Sequence, residues 1–473
     1  MRLDVLLGST RGVPVTLRGA GAGSTDITAV VHDSRAVVPG ALFCCVAGSS
    51  VDGHDLVDAA AEAGAVAVLA EREVPTDLPQ LLVPSVRQAL GPVAAAFWDH
   101  PSEALTMVGV TGTSGKTTTT HLLGAIFEAH GWPVSVLGTL SGPRTTPEAP
   151  ELQAHLAGER AAGCKAVAME VSSHALAMGR VRATRFGVAV FTNLSHEHLD
   201  FHRDLDEYFE VKASLFTAEY ADAAVVNLDD PRGVELARRA LVPTTGYSQR
   251  DVEALTVQAT RSSFLWRGQR IELPLGGQFN VSNALAAASA AAQLGIPVEI
   301  IATGLSQANV VPGRFEPVDE GQPFAVVVDY AHKPGALAGA LHAARHAAPG
   351  GRVLLVVGAG GDRDPTKRPQ MGEVAARLAD RVVLTTDNPR GEDPLRIIDA
   401  IHAGMSDTAH VTVEADRAAA IALALGEAQP GDVVVIAGKG HETVQVIGDA
   451  SVSFDDREVA RAALRSLRGS GAW

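Results

Sequence analysis

One segment of the chain combines glycines, a lysine and a threonine in a spacing that suits phosphate binding. It reads VGVTGTSGKT, and it connects an apolar run to a helix-like stretch that begins TTTTHLLGAIF. Gly112 and Gly115 allow backbone amides to approach phosphate oxygens, and Lys116 adds a positive charge. Thr117 supplies a hydroxyl of the kind that ligates magnesium. The start of a helix favours the same anion. The segment therefore predicts a phosphate loop.

The phosphate loop indicates nucleotide use without indicating a reaction. It suits a kinase, a motor or a GTPase equally well. Val110 occupies the first glycine position of the strict GxxxxGK[ST] pattern, so a structural turn is the alternative. The agreement of strand, glycines, lysine, threonine and helix favours phosphate binding.

Acidic and imidazole side chains follow the next two apolar runs. Glu170 ends the first run, where it is suited to bind magnesium directly or through water; the alternative is a solvated carboxylate. The second run ends in FTNLSHEHLDFH, which brings His196, His198, Asp200 and His202 together in sequence. Such a group is compatible with zinc, but a neighbouring phosphate loop favours magnesium and its oxygen ligands. We single out His198 and expect the other histidines to pack or to form hydrogen bonds.

One lysine stands among apolar neighbours in the helix-like segment EYFEVKASLF. An ordinary helical lysine extends its ammonium to water, and spacing alone favours that reading of Lys212. A desolvated lysine has a lowered pKa. Its uncharged amine can combine with carbon dioxide, which gives a carbamate able to ligate magnesium like a carboxylate. The sequence leaves both readings open.

These side chains lie at the ends of short apolar runs that alternate with alanine-rich, helix-like stretches. The runs are AVAVLA, TMVGVTG, KAVAMEV, GVAVFTNL, DAAVVNL, FAVVVDY, RVLLVVGAG, RVVLTTD and DVVVIAG. Continuous apolar strands that alternate with helices are typical of parallel sheets covered on both faces. The sequence therefore predicts an α/β fold.

The length of 473 residues predicts more than one domain. Two stretches resemble boundaries: WDHPSEAL, and NVVPGRFEPVDEGQP, which is rich in proline, glycine and charge. We therefore expect three domains, at residues 1–100, 101–313 and 314–473.

Composition restricts partners and location. The formal net charge of −15 opposes attraction to nucleic acid, so no nucleic-acid partner is expected. Cys44, Cys45 and Cys164 form no CxxC pair and are expected to be buried in a reducing compartment. No apolar run approaches the roughly 18 residues of a membrane helix, and no signal peptide is apparent. We expect a cytoplasmic protein without membrane insertion.

The ordered motifs resemble the Mur ligase family along essentially the whole chain. They are HDSRAVVPGALF, VDGHD, TGTSGKTT, TTPE, EVSSHAL, FTNLSHEHLDFH, EYFEVKASLF, FNVSNALAA, PGRFE, VVDYAHKPGAL, GDRDPTKRP, TTDNPRGEDP and AGKGHE. The resemblance is greatest to the UDP-N-acetylmuramoyl-tripeptide synthetases. It implies a small N-terminal UDP-binding α/β domain, a central P-loop ATPase-like domain with a parallel sheet, and a C-terminal Rossmann-like domain. It also implies ligation of diaminopimelate to UDP-N-acetylmuramoyl-L-alanyl-D-glutamate by a monomer, with ATP, Mg²⁺ and an acyl-phosphate intermediate.

The resemblance also implies roles for individual residues. The ATP-binding group is Gly112, Thr113, Ser114, Gly115, Lys116, Thr117, Thr118, Asn280, Asn283, Arg314 and Asp329. The group for the UDP-muramoyl dipeptide is Ser34, Thr145, Thr146, Ser172 and Arg180. The diaminopimelate group is Arg363, Asp387, Asn388, Pro389, Arg390, Gly438 and Glu442. The metal ligands are Thr117, Glu170, His198 and Lys212 as a carbamate, and the catalytic residues are Lys116, Glu170, His198 and Lys212.

The DNPR segment (387–390) implies diaminopimelate rather than lysine. Arg390 can grip a carboxylate through two hydrogen bonds, and Glu442 can pair with the distal ammonium. Lysine lacks the second carboxylate, so Arg390 would be left without a partner. The alternative is an exposed turn, which Asp-Asn-Pro favours.

Several positions depart from the family pattern. Ser114 stands where asparagine is common, Met178 stands where glutamine is found, and Lys333 and Gly335 replace the frequent threonine and aspartate of YAHTPD.

The alternative functions are a related amide ligase such as a folylpolyglutamate synthase, a P-loop phosphotransferase or motor ATPase, and a catalytically silent paralogue. The DNPR and GKGHE segments and the intact phosphate loop favour the ligase.

Overall fold

The N-terminal part of the chain forms a five-stranded sheet. The structure, a computed structural model, describes residues 1–19, 22–48, 51–195, 197, 201–405 and 410–469. The strands pair in the order β1-β5-β4-β3-β2, with β1 antiparallel to β5 and the other neighbours parallel. They are β1 (Thr16–Arg18), β2 (Ala29–Val31), β3 (Ala41–Cys44), β4 (Ala65–Ala70) and β5 (Gln80–Leu82). The helices of this part are α1 (Leu3–Ser9), α2 (Val57–Glu62) and α3 (Val86–Phe97).

A six-stranded parallel sheet lies at the centre of the chain, in the order β11-β10-β9-β6-β8-β7. Its strands are β6 (Thr106–Thr111), β7 (Val134–Leu137), β8 (Ala166–Glu170), β9 (Phe186–Phe191), β10 (Ala221–Asn227) and β11 (Thr244–Tyr247). The helices that follow are α4 (Lys116–Ala129), α5 (Ala149–Ala161), α6 (Ser173–Ala177), α7 (Leu205–Ala213), α8 (Pro231–Arg239), α9 (Gln278–Gln293) and α10 (Val298–Ser306). Because β6 and β8 lie inside the sheet with helices on both faces, their side chains are almost all buried.

Alanine and glycine allow the central helices to pack closely. The middle of α9 is a run of alanines that is fully buried against α4 and the sheet. A Cβ added at Gly304 of α10 would lie 2.6 Å from the Cα of Ile126 in α4, so the two backbones touch at a position where only glycine fits. This packing holds α4, and with it the phosphate loop, rigidly against the sheet.

A three-stranded antiparallel sheet is inserted between β11 and α9, and the sequence analysis did not predict it. It consists of β12 (Val252–Val257), β13 (Ser262–Trp266) and β14 (Gln269–Leu273). The alternation of buried and exposed residues in β13 is characteristic of a sheet with one covered face. A search for continuous apolar runs does not detect strands in which apolar and polar residues alternate.

The C-terminal part forms a second six-stranded sheet, in the order β15-β16-β20-β17-β18-β19. Its strands are β15 (Glu316–Pro317), β16 (Ala325–Asp329), β17 (Val353–Val357), β18 (Arg381–Leu384), β19 (Val411–Val413) and β20 (Val433–Ala437), with only β15 antiparallel among them. A hairpin of β21 (Val444–Ile447) and β22 (Ala450–Ser453) follows. The helices are α11 (Pro334–Ala347), α12 (Lys367–Leu378), α13 (Pro394–His402), α14 (Arg417–Glu427) and α15 (Asp456–Gly469).

The predicted α/β class is confirmed, and each predicted apolar run contains a strand. The three larger sheets occupy successive parts of the chain, while the limits 1–100, 101–313 and 314–473 remain a prediction. Cys44, Cys45 and Cys164 are free thiols and buried, as expected. Among the described residues, no helix has the length and apolar character that a membrane crossing requires.

Candidate active site

The loop between β6 and α4 is held by two glycines in conformations that other residues avoid. Gly112 has a φ of +146°, and a Cβ there would lie 1.9 Å from the hydroxyl of Thr192. Gly115 has a φ of +86°, and a Cβ there would lie 2.3 Å from the Oδ1 of Asn283. Glycine is therefore required at both positions. The loop runs directly into the N-terminus of α4, as the sequence predicts for a phosphate site.

Two lysines converge on one carbonyl of this loop. Lys116 donates hydrogen bonds of 2.8 Å to the carbonyls of Gly112 and Thr113. Lys212, from α7, donates a hydrogen bond of 2.9 Å to the same Gly112 carbonyl. Burial lowers the pKa of Lys212 well below its ordinary value, and the charge of Lys116 acts in the same direction. Lys212 is therefore a desolvated lysine rather than one that extends to water, and its neutral amine is favoured.

A carboxylate stands opposite the phosphate loop, at the end of β8. The hydroxyl of Thr117 donates to Glu170 Oε1 over 3.0 Å, and the backbone amide of Thr139 donates to the same oxygen over 2.8 Å. A hydroxyl and a carboxylate beside a phosphate loop are the hard oxygen ligands that Mg²⁺ prefers. The residues present therefore fit a magnesium ion that also takes ligands from a bound nucleotide. Within the residues described, no three His, Cys, Asp or Glu side chains form a group that could hold a metal without such help.

The histidine-rich segment after β9 is described only in part. His202 is buried and its Nε2 lies 3.0 Å from the hydroxyl of Ser173, with its ring 5.0 Å from that of Tyr208. It is a packing and hydrogen-bonding residue, as expected. His196, His198 and Asp200 lie outside the described residues, so the metal role of His198 remains a prediction.

A cavity of about 1020 Å³ opens in front of the phosphate loop, between the central sheet and α11. Most of the predicted ATP group lines it, namely Thr113, Ser114, Gly115, Lys116, Thr117, Thr118, Asn283, Arg314 and Asp329. Asn280 is fully buried and accepts a hydrogen bond of 3.1 Å from Asn283, so it helps to orient that residue, while its own role toward ATP remains a prediction. The carbonyl of Gly112 accepts from both Lys116 and Lys212 and thereby orients the two lysines.

Arg314, Asp329 and Tyr330 line this cavity from the C-terminal part of the chain. Arg314 donates to the hydroxyl of Thr117 over 3.3 Å, and its guanidinium lies 4.6 Å from the centre of the Tyr330 ring. Asp329 accepts a hydrogen bond of 2.7 Å from the Phe315 amide, and burial raises its pKa to about 6. The hydrogen bond from Arg314 to Thr117 joins the C-terminal and central parts of the predicted ATP site.

The predicted dipeptide group is assembled next to Glu170. The hydroxyl of Thr146 donates to the backbone carbonyl of Glu170 over 2.9 Å and accepts from the Ser172 amide over 3.1 Å. The hydroxyl of Thr145 lies 3.1 Å from that of Thr139. Arg180 donates to the Thr146 carbonyl over 3.3 Å. Thr145, Thr146, Ser172 and Arg180 therefore lie together at the edge of the nucleotide site.

Arg180 belongs to a larger charge cluster that the sequence analysis did not identify. It pairs with Glu148 at 2.8 Å, and Arg87 of α3 lies 3.8 Å from the same carboxylate. The Nε of Arg180 is buried without a hydrogen-bond partner in the described part of the chain. An unpaired donor in a positive cluster suits an anionic ligand.

Ser34 lies apart from this group, in a short 3₁₀ turn (Ser34–Ala36) after β2. The cap of that turn, Asp33, accepts from the Arg35 amide over 3.0 Å. Two residues before Ser34, the ring of His32 lies 3.6 Å from Glu151 of α5. The segment therefore faces the central part of the chain, and a UDP-linked substrate would have to extend from it to Arg180.

The predicted diaminopimelate group gathers beyond the C-terminal ends of β18 and β20. Asn388 donates to Glu442 over 2.7 Å and accepts over 3.0 Å from Lys439, which is fully buried. Burial raises the pKa of Asp387, whose carboxylate lies 3.9 Å from Lys439. Gly438 is required here, because its φ is +120° and a Cβ would lie 2.6 Å from Asp387. The segment is a buried polar cluster rather than an exposed turn.

Two arginines border this cluster at Gly360. Arg390 has a φ of +51° and donates to the Gly361 carbonyl over 2.7 Å. A Cβ added at Gly360 would lie 2.9 Å from Arg390 Nη1 and 3.9 Å from Arg363 Cγ, so both arginines flank that glycine. Pro389, which directly precedes Arg390, is buried. The left-handed backbone at Arg390 is anchored by hydrogen bonds to the β21–β22 hairpin.

The nucleotide cavity and the polar cluster are neighbours through Tyr330. Its ring lies 4.8 Å from that of His441, which immediately precedes Glu442. Glu442 and Asp387 both act on the pKa of Tyr330, which burial raises. Sequence reasoning missed Tyr330, Lys439 and Thr139 as site residues. The first two stand inside the YAH and GKGHE motifs, which were the available signal; nothing in the sequence marked Thr139.

Comparisons with known proteins agree with this geometry. Three family models match in order: the Mur ligase family, catalytic domain (residues 26–98), the Mur ligase middle domain (110–291) and the Mur ligase, glutamate ligase domain (313–440).

Relatives match over nearly their full length. A UDP-N-acetylmuramoyl-L-alanyl-D-glutamate–2,6-diaminopimelate ligase of Streptomyces coelicolor is 46% identical, covering 94% of both chains. The enzyme of the same name from Geobacillus thermodenitrificans is 44% identical, covering 99% of this chain and 100% of its own. A solved structure with that name superposes with a TM-score of 0.69 at 32% identity, covering 95% of this chain and 97% of that one. With such identity over the whole length and the family's segments in their order, the chain belongs to the Mur ligase family.

Proposed function

We propose that this chain is an ATP-dependent ligase that joins diaminopimelate to UDP-N-acetylmuramoyl-L-alanyl-D-glutamate. The observation that carries the proposal is the adjacency of three groups. The phosphate loop reaches the Thr146–Arg180 group through Glu170, which accepts from Thr117 through its carboxylate and from Thr146 through its backbone carbonyl. It reaches the Asn388–Glu442 cluster through Arg314, which contacts Thr117 and Tyr330, and through the Tyr330 ring, 4.8 Å from that of His441. The relatives named above carry the same activity in their names. The product is a UDP-linked muramoyl tripeptide, a precursor of peptidoglycan and hence of cell-wall growth and division.

The reaction starts with two anions that repel each other. The terminal carboxylate of the dipeptide attacks the γ-phosphorus of ATP, an O–P bond forms, and ADP leaves. Lys116 and Arg314 offset the charge of the triphosphate, and the Thr146–Arg180 group holds the dipeptide at the same edge of the sheet. Placing the two reactants in one cleft replaces an encounter in solution by a local step.

The acyl phosphate then reacts with the amine of diaminopimelate. The amine attacks the acyl carbon, a C–N bond forms, phosphate leaves, and the ammonium proton is released. Arg390 and Arg363 are suited to the distal carboxylate, and Glu442 and Asn388 to the distal ammonium. Since a lysine substrate would leave Arg390 without a carboxylate, we expect diaminopimelate to be preferred.

Magnesium would be held by Thr117 and Glu170, with His198 and a carbamylated Lys212 proposed at a second position. The ion supplies neutralisation of the phosphate charge when it is bound. The fit rests on the hydroxyl and carboxylate oxygens that face the loop, 3.0 Å apart. The buried Lys212 beside Lys116 supports the carbamate, because a neutral amine is the form that reacts with carbon dioxide.

An ATP-dependent ligation assay tests the function. The purified chain is given the UDP-muramoyl dipeptide, ATP, Mg²⁺ and, in separate reactions, meso-diaminopimelate, L,L-diaminopimelate or L-lysine. We expect tripeptide, ADP and phosphate with diaminopimelate, and ¹⁸O transfer from a labelled dipeptide carboxylate to phosphate. Preferential use of lysine would overturn the substrate assignment, and absence of ¹⁸O transfer would exclude the acyl-phosphate intermediate.

We place this reaction in the cytoplasm, where ATP and UDP-linked precursors occur, and expect a monomer.

A further inference from the structure

A lysine and a glutamate from opposite sides of the nucleotide cavity form an ion pair. Lys333 Nζ lies 2.9 Å from Glu197 Oε1. Lys333 immediately precedes α11 in the C-terminal part of the chain, whereas Glu197 follows β9 in the central part. Both side chains line the cavity, and they are only 25% and 14% exposed. The pair therefore spans the space in front of the phosphate loop.

Lys333 shares the electrostatic environment of the phosphate loop. Burial lowers the pKa values of Lys116 and Lys212, and the positive charge of Lys333 acts on both in the same direction. Arg314 acts likewise on Lys116. Cations from both sides of the cavity are thus concentrated where the phosphates of a nucleotide would lie. The carboxylates of Glu170 and Glu197 offset part of this positive charge, and the anionic oxygens of a bound nucleotide would offset more of it.

The backbone that follows Lys333 reinforces this positive region. Helix α11 is 14 residues long and starts directly after Lys333, and Gly335 and Ala336 in its first turn line the cavity. The first N–H groups of a helix carry partial positive charge and favour anions. A Cβ added at Gly335 would find its nearest neighbour, the Ser195 hydroxyl, at 3.8 Å. There is open space for a ligand at the helix start.

We propose that Lys333 is a phosphate-binding residue that Glu197 holds in the absence of nucleotide and that passes to the terminal phosphate when ATP binds. The exchange is favourable because a triphosphate offers several charged oxygens, while Glu197 offers one carboxylate. Since Lys333 belongs to the C-terminal side, the new contact fastens that side to the nucleotide. The inference rests on ATP being the substrate, as proposed above.

Binding measurements without turnover test this role. Isothermal titration with Mg²⁺ compares a non-hydrolysable ATP analogue and ADP on the wild type, Lys333→Thr, Lys333→Arg and Lys165→Thr. Lys333 makes no side-chain capping hydrogen bond, and threonine removes the charge while being a favoured residue at a helix cap, so the helix start is not weakened. Lys165 is exposed and outside the cavity, so it provides a matched control.

We expect Lys333→Thr to weaken analogue binding by about tenfold or more and ADP binding by about threefold or less, since one charged hydrogen bond to the terminal phosphate is lost. Lys333→Arg should stay within about threefold of the wild type, because the charge remains. Lys165→Thr should match the wild type. Unchanged analogue binding by Lys333→Thr, or equal losses for the analogue and ADP, would overturn the inference.

Glu197→Gln provides a second measurement that does not remove the lysine. Without the competing carboxylate, the analogue should bind more tightly than to the wild type; weaker binding would overturn the exchange. The failure of the proposed function has a different signature. In that case the wild type itself would bind neither the analogue nor ADP.

Discussion

The guanidinium of Arg314 donates a 3.3 Å hydrogen bond to the hydroxyl of Thr117, a residue 197 positions earlier in the chain. The same guanidinium lies over the ring of Tyr330, 4.6 Å from its centre. One side chain thus connects Thr117, the proposed magnesium ligand of the phosphate loop, with the tyrosine that borders the Asn388–Glu442 cluster. This contact forms part of the C-terminal side of the predicted nucleotide site.

Replacing Arg314 by lysine should weaken use of ATP. Lysine keeps the charge but loses the planar group that stacks on Tyr330 and reaches Thr117. We expect kcat/KM for ATP to fall by about 10- to 100-fold, the equivalent of a charged hydrogen bond. Steady-state kinetics measure the change, with Arg345→Lys as the control because Arg345 pairs with Asp380 on the surface. Equal values for the two variants would contradict the role of Arg314.

Lys212 should carry a carbamate, and an arginine at this position should be unable to form one. Incubation with ¹³C-labelled bicarbonate should produce a carbamate signal in the ¹³C spectrum of the wild type, because burial lowers the pKa of this amine and favours its neutral form. The signal should be absent from Lys212→Arg, which should also lose ligase activity. A wild type without the signal, fully active in bicarbonate-free buffer, would exclude the carbamate.

Asp329 should make a measurable contribution to the pH dependence of stability. Burial raises its pKa from 3.8 to about 6, so the folded protein binds this proton more tightly than the unfolded chain does. As the pH rises through that window the unfolded chain ionises first, and the contribution of Asp329 to the free energy of unfolding decreases. At still higher pH this contribution stays at its lower value. An asparagine at position 329 does not titrate, so the variant Asp329→Asn lacks this pH dependence.

Denaturant unfolding of the wild type and Asp329→Asn between pH 4 and 8 checks this sign. The free energy of unfolding of the wild type minus that of the variant should decrease as the pH rises, mainly at about pH 4 to 6. A difference that is constant or that increases would contradict the raised pKa.

Arg390 should determine the choice of amino acid more than the binding of ATP. Arg390→Ala removes the group proposed for the distal carboxylate, so we expect the preference for diaminopimelate over lysine to fall by about tenfold or more. The KM for ATP should change little. The matched control is Arg396→Ala, because Arg396 is exposed on α13. Unaltered preference in Arg390→Ala would mean that another group binds the carboxylate.

Lys439 should be important for stability as well as for the site. Its ammonium is fully buried, donates to Asn388 and to the Val444 carbonyl, and lies 3.4 Å from Glu442. Lys439→Met leaves these acceptors without their partner, and the free energy of unfolding should fall by about 3 kcal/mol. Denaturant unfolding measures the loss, with the exposed Lys165→Met as control. A loss as small as that of the control would contradict the buried network.

Local patterns predicted a large part of the fold and of the candidate site. Each apolar run became a strand, because side chains buried on both faces leave a continuous signal. The apolar runs did not include most of the short strands of two to four residues or the partly exposed strands β12 to β14 and β21–β22, because short or exposed strands give no continuous apolar run. Arg363, Asn388 and Glu442 were proposed as site residues from motifs, while Lys439 was not, because its role depends on burial.

The amino-acid sequence by itself determined the α/β class, the phosphate loop and the residue types available for a ligase, because these follow from short-range spacing and from motif resemblance. The tertiary structure decided which distant groups meet: Arg314 with Thr117, Lys212 with Gly112, and Lys333 with Glu197. It also decided which lysine is desolvated. Contacts between residues far apart in the chain, and the loss of water around a charge, depend on how packed elements enclose a space, and no local pattern encodes that enclosure.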